Sequence, residues 1–144
     1  MENLAAVSDK ELISRLEALV CDERELTQKV VRHLAEVEAR RLYATLGYTS
    51  LYDYACRGLK YSSSAAMRRI RAARAGAKVN RVFDYLETGE LNLSTVEVLA
   101  DLLEDTARPE LVDLFRGKSR SYNRKLCMSL TTQSAAPKKE LPLS

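Results

Sequence analysis

The chain has 144 residues, 46% of them hydrophobic, with 23 Lys and Arg against 20 Asp and Glu and a formal net charge of +3. That length supports one domain with its own core, and no apolar run approaches the length of a membrane span. Three widely spaced cysteines (Cys21, Cys56, Cys127) make no disulfide framework, and residues 1–8 lack the basic start and apolar core of a signal peptide. A cytoplasmic protein is therefore expected.

Ser8-Asp-Lys-Glu11 reads as a capping box opening the first helical region. Leu12, Leu16 and Leu19, then Leu26, Val30, Leu34, Val37 and Leu42, recur at helical spacings. The polar stretch from Cys21 to Glu25 interrupts this stripe and predicts either two helices or one bent helix. Gly47 is the expected stop. Thr49 or Ser50 caps a short helix from Leu51 to about Leu59. A tight connection follows at Lys60–Ser62, and Ser62, Ser63 or Ser64 caps a helix reaching about Val79. A short helix over Arg81–Glu87 ends at Gly89. Ser94 and Glu97 form a second capping box for a helix over Ser94–Leu103. Arg108-Pro109 starts another segment, and Gly117 separates it from a last helix over Ser119–Leu130. Residues 131–144 have the composition of a disordered tail. No stretch alternates with period two. The prediction is an all-α domain over residues 1–130, with six to eight helices and no internal repeat.

Charge is unevenly distributed. From Tyr54 to Phe83 there are eight basic residues and no acidic one, a block of +8 between flanks of −3 (residues 1–53) and −2 (residues 84–144). A concentrated positive block attracts polyanions, nucleic acid above all. On a helical wheel Ala66, Ile70, Ala73 and Ala77 form a small-residue inner stripe. Arg71, Arg74 and Lys78 lie together on an outer flank, and Arg68 extends their arc. A short helix, a three-residue connection and a basic second helix over 51–79 make a helix-turn-helix silhouette. The expected nucleic-acid-binding residues are Lys60, Ser63, Ser64, Arg68, Arg71, Arg74, Lys78 and Arg81. Lys60 occupies the corner where a turn glycine is usual, so a left-handed backbone there would be strained.

An ordered set of segments carries a family resemblance. It comprises Ser8-Asp-Lys-Glu-Leu-Ile-Ser-Arg-Leu16, His33-Leu-Ala-Glu-Val-Glu-Ala-Arg-Arg-Leu-Tyr43, Leu46-Gly-Tyr-Thr-Ser-Leu-Tyr-Asp-Tyr54 and Ala65-Ala-Met-Arg-Arg-Ile-Arg-Ala-Ala-Arg74. Leu86-Glu-Thr-Gly-Glu-Leu-Asn-Leu-Ser94 and Gly117-Lys-Ser119 follow. Across roughly residues 8–130 the chain resembles the helical N-terminal region of bacterial HNH endonucleases of the deltaproteobacterial type. The resemblance implies DNA as partner and a nuclease module further along. It does not carry catalysis over: the sole histidine is His33, and an HNH site needs several to hold a divalent metal and activate water. Lys60 and Met67 stand where the resemblance leads one to expect Gly and Tyr.

The reading is thus a non-catalytic DNA-binding module with no cofactor, no metal, no membrane association and no small-molecule substrate. Its alternatives are a helical dimerisation or protein-interaction module, with a homodimer through residues 8–45, and a remnant or subunit of an HNH endonuclease. Tyr43, Tyr48, Tyr52, Tyr54 and Tyr61 are expected to pack around the short helix rather than stack on bases. Asp101, Glu104 and Asp105 are expected on a solvated helix end.

Overall fold

The computed structural model describes residues 3–106 and 108–117, and every regular element in them is helical. Helix α1 runs Asp9–Ala39 without a break. Ser8 caps it, its Oγ accepting the Glu11 N–H at 3.3 Å. The Glu11 carboxylate pairs with Arg15 one turn on. The polar stretch at 21–25 does not divide the helix, because Glu and Arg are good helix formers and these side chains all face water. Of the two helices or one bent helix that the sequence left open, a single continuous 31-residue helix forms.

The chain turns at Arg41, whose backbone is left-handed (φ 52°), into α2 (Leu42–Thr45). Gly47 (φ 94°) ends this corner. Helix α3 (Leu51–Asp53) is held by a reciprocal cap. Ser50 Oγ accepts the Asp53 N–H at 3.0 Å, and Asp53 Oδ2 accepts the Thr49 N–H at 3.0 Å. Its last residues widen into a π turn, Tyr54–Gly58. Ser62 then caps α4 (Ser63–Lys78), its Oγ accepting from the Ala65 N–H.

Helix α5 (Arg81–Thr88) ends at Gly89 (φ 86°). Helix α6 (Leu93–Thr106) starts one residue earlier than expected, with Asn92 Oδ1 accepting the Thr95 N–H at 2.9 Å. Asn92 is a strong cap two residues ahead of Ser94, so the expected Ser94–Glu97 box does not start the helix, and Glu97 turns to Arg68 instead. Pro109 lies in the turn before α7 (Leu111–Phe115). The expected helix over 119–130 and the tail over 131–144 lie outside the described residues.

Helix α4 is the centre of the fold, packed against α1, α5 and α6. Ala66, Ile70 and Ala73 are buried as the wheel predicts. Ala77 is exposed, whereas Ala72, Ala75 and Gly76 are buried. The single inner stripe is corrected to a broader one, because neighbours cover α4 on more than one side. A Cβ on Gly76 would lie 2.2 Å from the Phe83 ring, so the absence of a side chain lets α5 approach the bare backbone of α4.

Candidate functional site

The eight residues expected to meet nucleic acid lie along α4 and its two ends, but their charges are largely answered from within the fold. The Arg74 guanidinium donates twice to Glu38 of α1, at 3.1 and 2.9 Å. Those bonds raise the Arg74 pKa above the usual guanidinium value. Arg71 donates to Asp101 of α6 at 2.8 Å. Arg68 lies 3.6 Å from Glu97 of α6. Arg81 pairs with Asp113 of α7 at 3.2 Å and donates to the Pro109 carbonyl. Four of the six expected cations therefore sit against carboxylates from outside the basic block. Arg68, Arg71, Arg74 and Arg81 thus do not project as free cations, and their pairing reduces the positive field along α4.

The remainder is small. Lys60 and Lys78 are exposed and make no ion pair among the described residues. They stand at opposite ends of α4, about 24 Å of helix apart. Lys60 does adopt the left-handed backbone (φ 68°) that the missing glycine made costly. Ser63 and Ser64 are exposed at the start of α4, and the Ser63 hydroxyl shares a 2.6 Å hydrogen bond with Tyr52. Arg69, on the other flank, stacks 4.7 Å from the centre of the Tyr61 ring.

The signal for this neutralisation lay outside the basic block. Glu97, Asp101 and Glu104 recur at intervals of four and three along α6. Arg68, Arg71, Arg74 and Lys78 recur at matching intervals along α4. Two such rows on adjacent helices pair. Asp101, expected on a solvated helix end, is one of the partners.

Of the tyrosines expected to pack around the short helix, Tyr52 departs: it is exposed, with its hydroxyl on Ser63. Tyr43, Tyr54 and Tyr61 pack against the core, and the rings of Tyr48 and Tyr54 lie 5.2 Å apart. His33 is exposed on α1, its Nδ1 donating to the Lys29 carbonyl at 2.6 Å. Among the described residues, no three His, Cys, Asp or Glu side chains gather as metal ligands do, and no helix is long and apolar enough to cross a membrane.

The surface left unanswered is apolar and lies on α1. Leu16, Leu19 and Leu26 are 55%, 63% and 61% exposed, and Leu12 and Ile13 are exposed beside them. No side chain from 9 to 19 is buried, so this end of α1 overhangs the body by about 16 Å. Farther along, the same face becomes one wall of an apolar groove of about 460 Å³. Leu26, Val30 and Val37 line it from α1, and Tyr54, Leu59 and Tyr61 line it from the α3–α4 corner.

A longer frame joins these parts. Leu12, Leu16, Leu19, Glu23, Leu26, Val30, His33 and Val37 follow intervals of alternately four and three, the spacing of a coiled-coil seam. Glu23 and His33 interrupt its apolar character, which is why hydrophobicity alone did not reveal it. Val31 and Leu34 sit on a different face of the same helix and pack into the body. Leu34, grouped at first with the outer leucines, belongs to the core.

No protein-family model, no curated protein and no solved structure matches this chain.

Proposed function

We propose that this chain is a non-catalytic helical assembly module of the bacterial cytoplasm, whose working part is the outer face of α1. The observation that carries the reading is the exposed leucine row, Leu12, Leu16, Leu19 and Leu26, running into an open apolar groove. Contiguous exposed apolar surface marks an interaction site. Burying one leucine fully is worth roughly 1.5–3 kcal/mol, so a paired helix over this row gains several such increments. The resemblance to the N-terminal region of HNH endonucleases suits a module that serves a nuclease without being one.

Hydrogen–deuterium exchange over residues 10–26 tests the reading. No side chain from 9 to 19 is buried, so a lone chain exchanges fast there. Protection that grows with protein concentration, and is lost in the Leu16→Glu, Leu26→Glu double variant, is the expected result. Fast exchange at every concentration overturns it.

Duplex DNA binding is the second reading, favoured by one observation: Lys60, Ser63, Ser64 and Lys78 are exposed along a helix that follows a tight corner. With two free cations in place of a full ridge, log affinity should fall against log salt with a slope of about −2. Glu38→Gln with Asp101→Asn frees two arginines and should steepen that slope to about −4. Absence of binding at low salt in both proteins removes this reading.

A further inference from the structure

Resting on the reading of α1 as a docking helix, we propose that its occupant is the α1 of a second copy, antiparallel and centred between Glu23 and Leu26, with each overhang lying in the other chain's groove.

The direction follows from the order of side chains in the seam. In a parallel pair each residue faces its own copy. Glu23 would then oppose Glu23, placing like charges at the centre of an apolar layer, which is unfavourable. In the antiparallel pair Glu23 lies beside Leu26 of the second copy, near the middle of the helix pair. The layers then run Leu19 with Val30, Leu16 with His33, and Leu12 with Val37. Each overhanging leucine meets a groove residue, and every layer is made from both chains.

The flanking charges agree with this order. Beside the seam on its solvent side stand Arg15, Asp22, Lys29 and Glu36, alternating in sign. The antiparallel register sets Arg15 against Glu36 and Asp22 against Lys29 of the second copy. Three of them pair one turn away on their own helix: Arg15 with Glu11, Lys29 with Glu25 and Glu36 with Arg40. These exposed pairs are weak and exchange readily. A parallel pair would set Arg15, Asp22 and Lys29 against Val20, Thr27 and Leu34, which offer no counter-charge, and Glu36 level with Arg41, which lies past the end of α1.

The opposite flank explains a residue that the leucine row does not. Ile13 is 54% exposed and lies off the seam. In the antiparallel register it comes level with Leu34 of the second copy, which is buried at the base of the groove, and so lies over the wall formed there by Tyr54, Leu59 and Tyr61. The groove's far wall, which comes from the α3–α4 corner rather than from α1, thereby gains an occupant.

Cross-linking of single-cysteine chains tests the arrangement. The background carries Cys21→Ser, Cys56→Ser and Cys127→Ser, with folding checked by circular dichroism. Leu19→Cys and Val30→Cys are each placed on it and oxidised, alone and mixed. The expected result is a disulfide-linked dimer in the mixture and little in either alone, since two copies of residue 19 would be about 16 Å apart. Dimers from each variant alone with no gain on mixing mean a parallel pair, which overturns this inference and leaves the assembly module standing. Monomers by light scattering at every concentration, with no cross-link in any sample, overturn both. A charge swap checks the flank independently. Asp22→Lys should weaken the dimer about tenfold, and adding Lys29→Asp should restore it. Failure of the second change to restore association overturns the register.

Discussion

Between α4 and α6, Arg68 and Arg71 each face a carboxylate; along the outer edge of α1, Leu16, Leu19 and Leu26 face water. The two regions were the natural candidates for function, one for its charge and one for its hydrophobic repeat. The first is matched within the fold; the second leaves apolar surface uncovered. Composition alone ranks them the other way, because a basic block is conspicuous in sequence and its compensation by distant acids is not. Exposure of charge costs little in water, whereas exposure of a leucine row has a price that association removes.

The widest contrast can be measured on one helix. Leu34 is 4% exposed and Leu26 is 61% exposed, eight residues apart on α1. Leu34→Ala should lower the stability of the monomer by about 2–5 kcal/mol through the cavity it leaves. Leu26→Ala should leave monomer stability nearly unchanged and weaken association instead. Chemical denaturation at low and high protein concentration separates the two. Equal losses of monomer stability would erase the distinction between inner and outer faces.

Gly76 sharpens the same comparison from the closed side. Its missing side chain is where Phe83 packs, 2.2 Å from any added Cβ. Gly76→Ala should destabilise by roughly 1–3 kcal/mol through overpacking, despite the better helix propensity of alanine. Ala18→Gly, on the exposed overhang, should cost about 1 kcal/mol at most. Thermal unfolding of the two variants gives the order. An alanine tolerated at 76 would show that α4 and α5 are not in close contact.

How much of this was readable beforehand differs between local and distant relations. Ser8, Ser50 and Ser62 act as caps because a hydroxyl one turn ahead of a helix is a local pattern. Gly89 stops α5 for an equally local reason. The left-handed Lys60 was anticipated as the cost of a corner without glycine, while Arg41, also left-handed, sits in a run with no turn residue to announce it. The pairing of Arg74 with Glu38 joins residues 36 positions apart and depends on how α1 crosses α4. Periodicity fixes which face of a helix is apolar but not which neighbour covers it. Hence Leu34 was grouped with the outer row and Ala77 with the inner stripe. The seam through Glu23 and His33 was legible only as spacing.

The Arg74–Glu38 pair is the next smaller test. It is bidentate and joins α1 to α4, yet both side chains are partly exposed, at 48% and 31%. Glu38→Gln should cost about 1 kcal/mol or less. The loss should shrink in high salt, since screening weakens the native pair. A loss of several kcal/mol, insensitive to salt, would mean that the ion pair organises the α1–α4 contact rather than decorating it.

The smallest expected effect is a pH response at the corner that forms the groove's far wall. Asp53 accepts from the Thr49 N–H, and Arg57 donates to its carboxylate at 3.2 Å. The Thr49 backbone bond is the main cause of a carboxyl pKa below its ordinary value, with Arg57 assisting. A carboxyl whose pKa is lowered by folding stabilises the native state above its unfolded pKa. That contribution is lost as pH falls through the folded value. The corner should therefore loosen below about pH 4, moving Tyr54 and Leu59 and weakening association before the core itself yields. Asp53→Asn keeps an acceptor for the Thr49 N–H but removes the titration. In that variant the acid-dependent rise in amide exchange over residues 49–58 should disappear. If it persists unchanged, another carboxylate controls the corner, and the groove wall is not held by this cap.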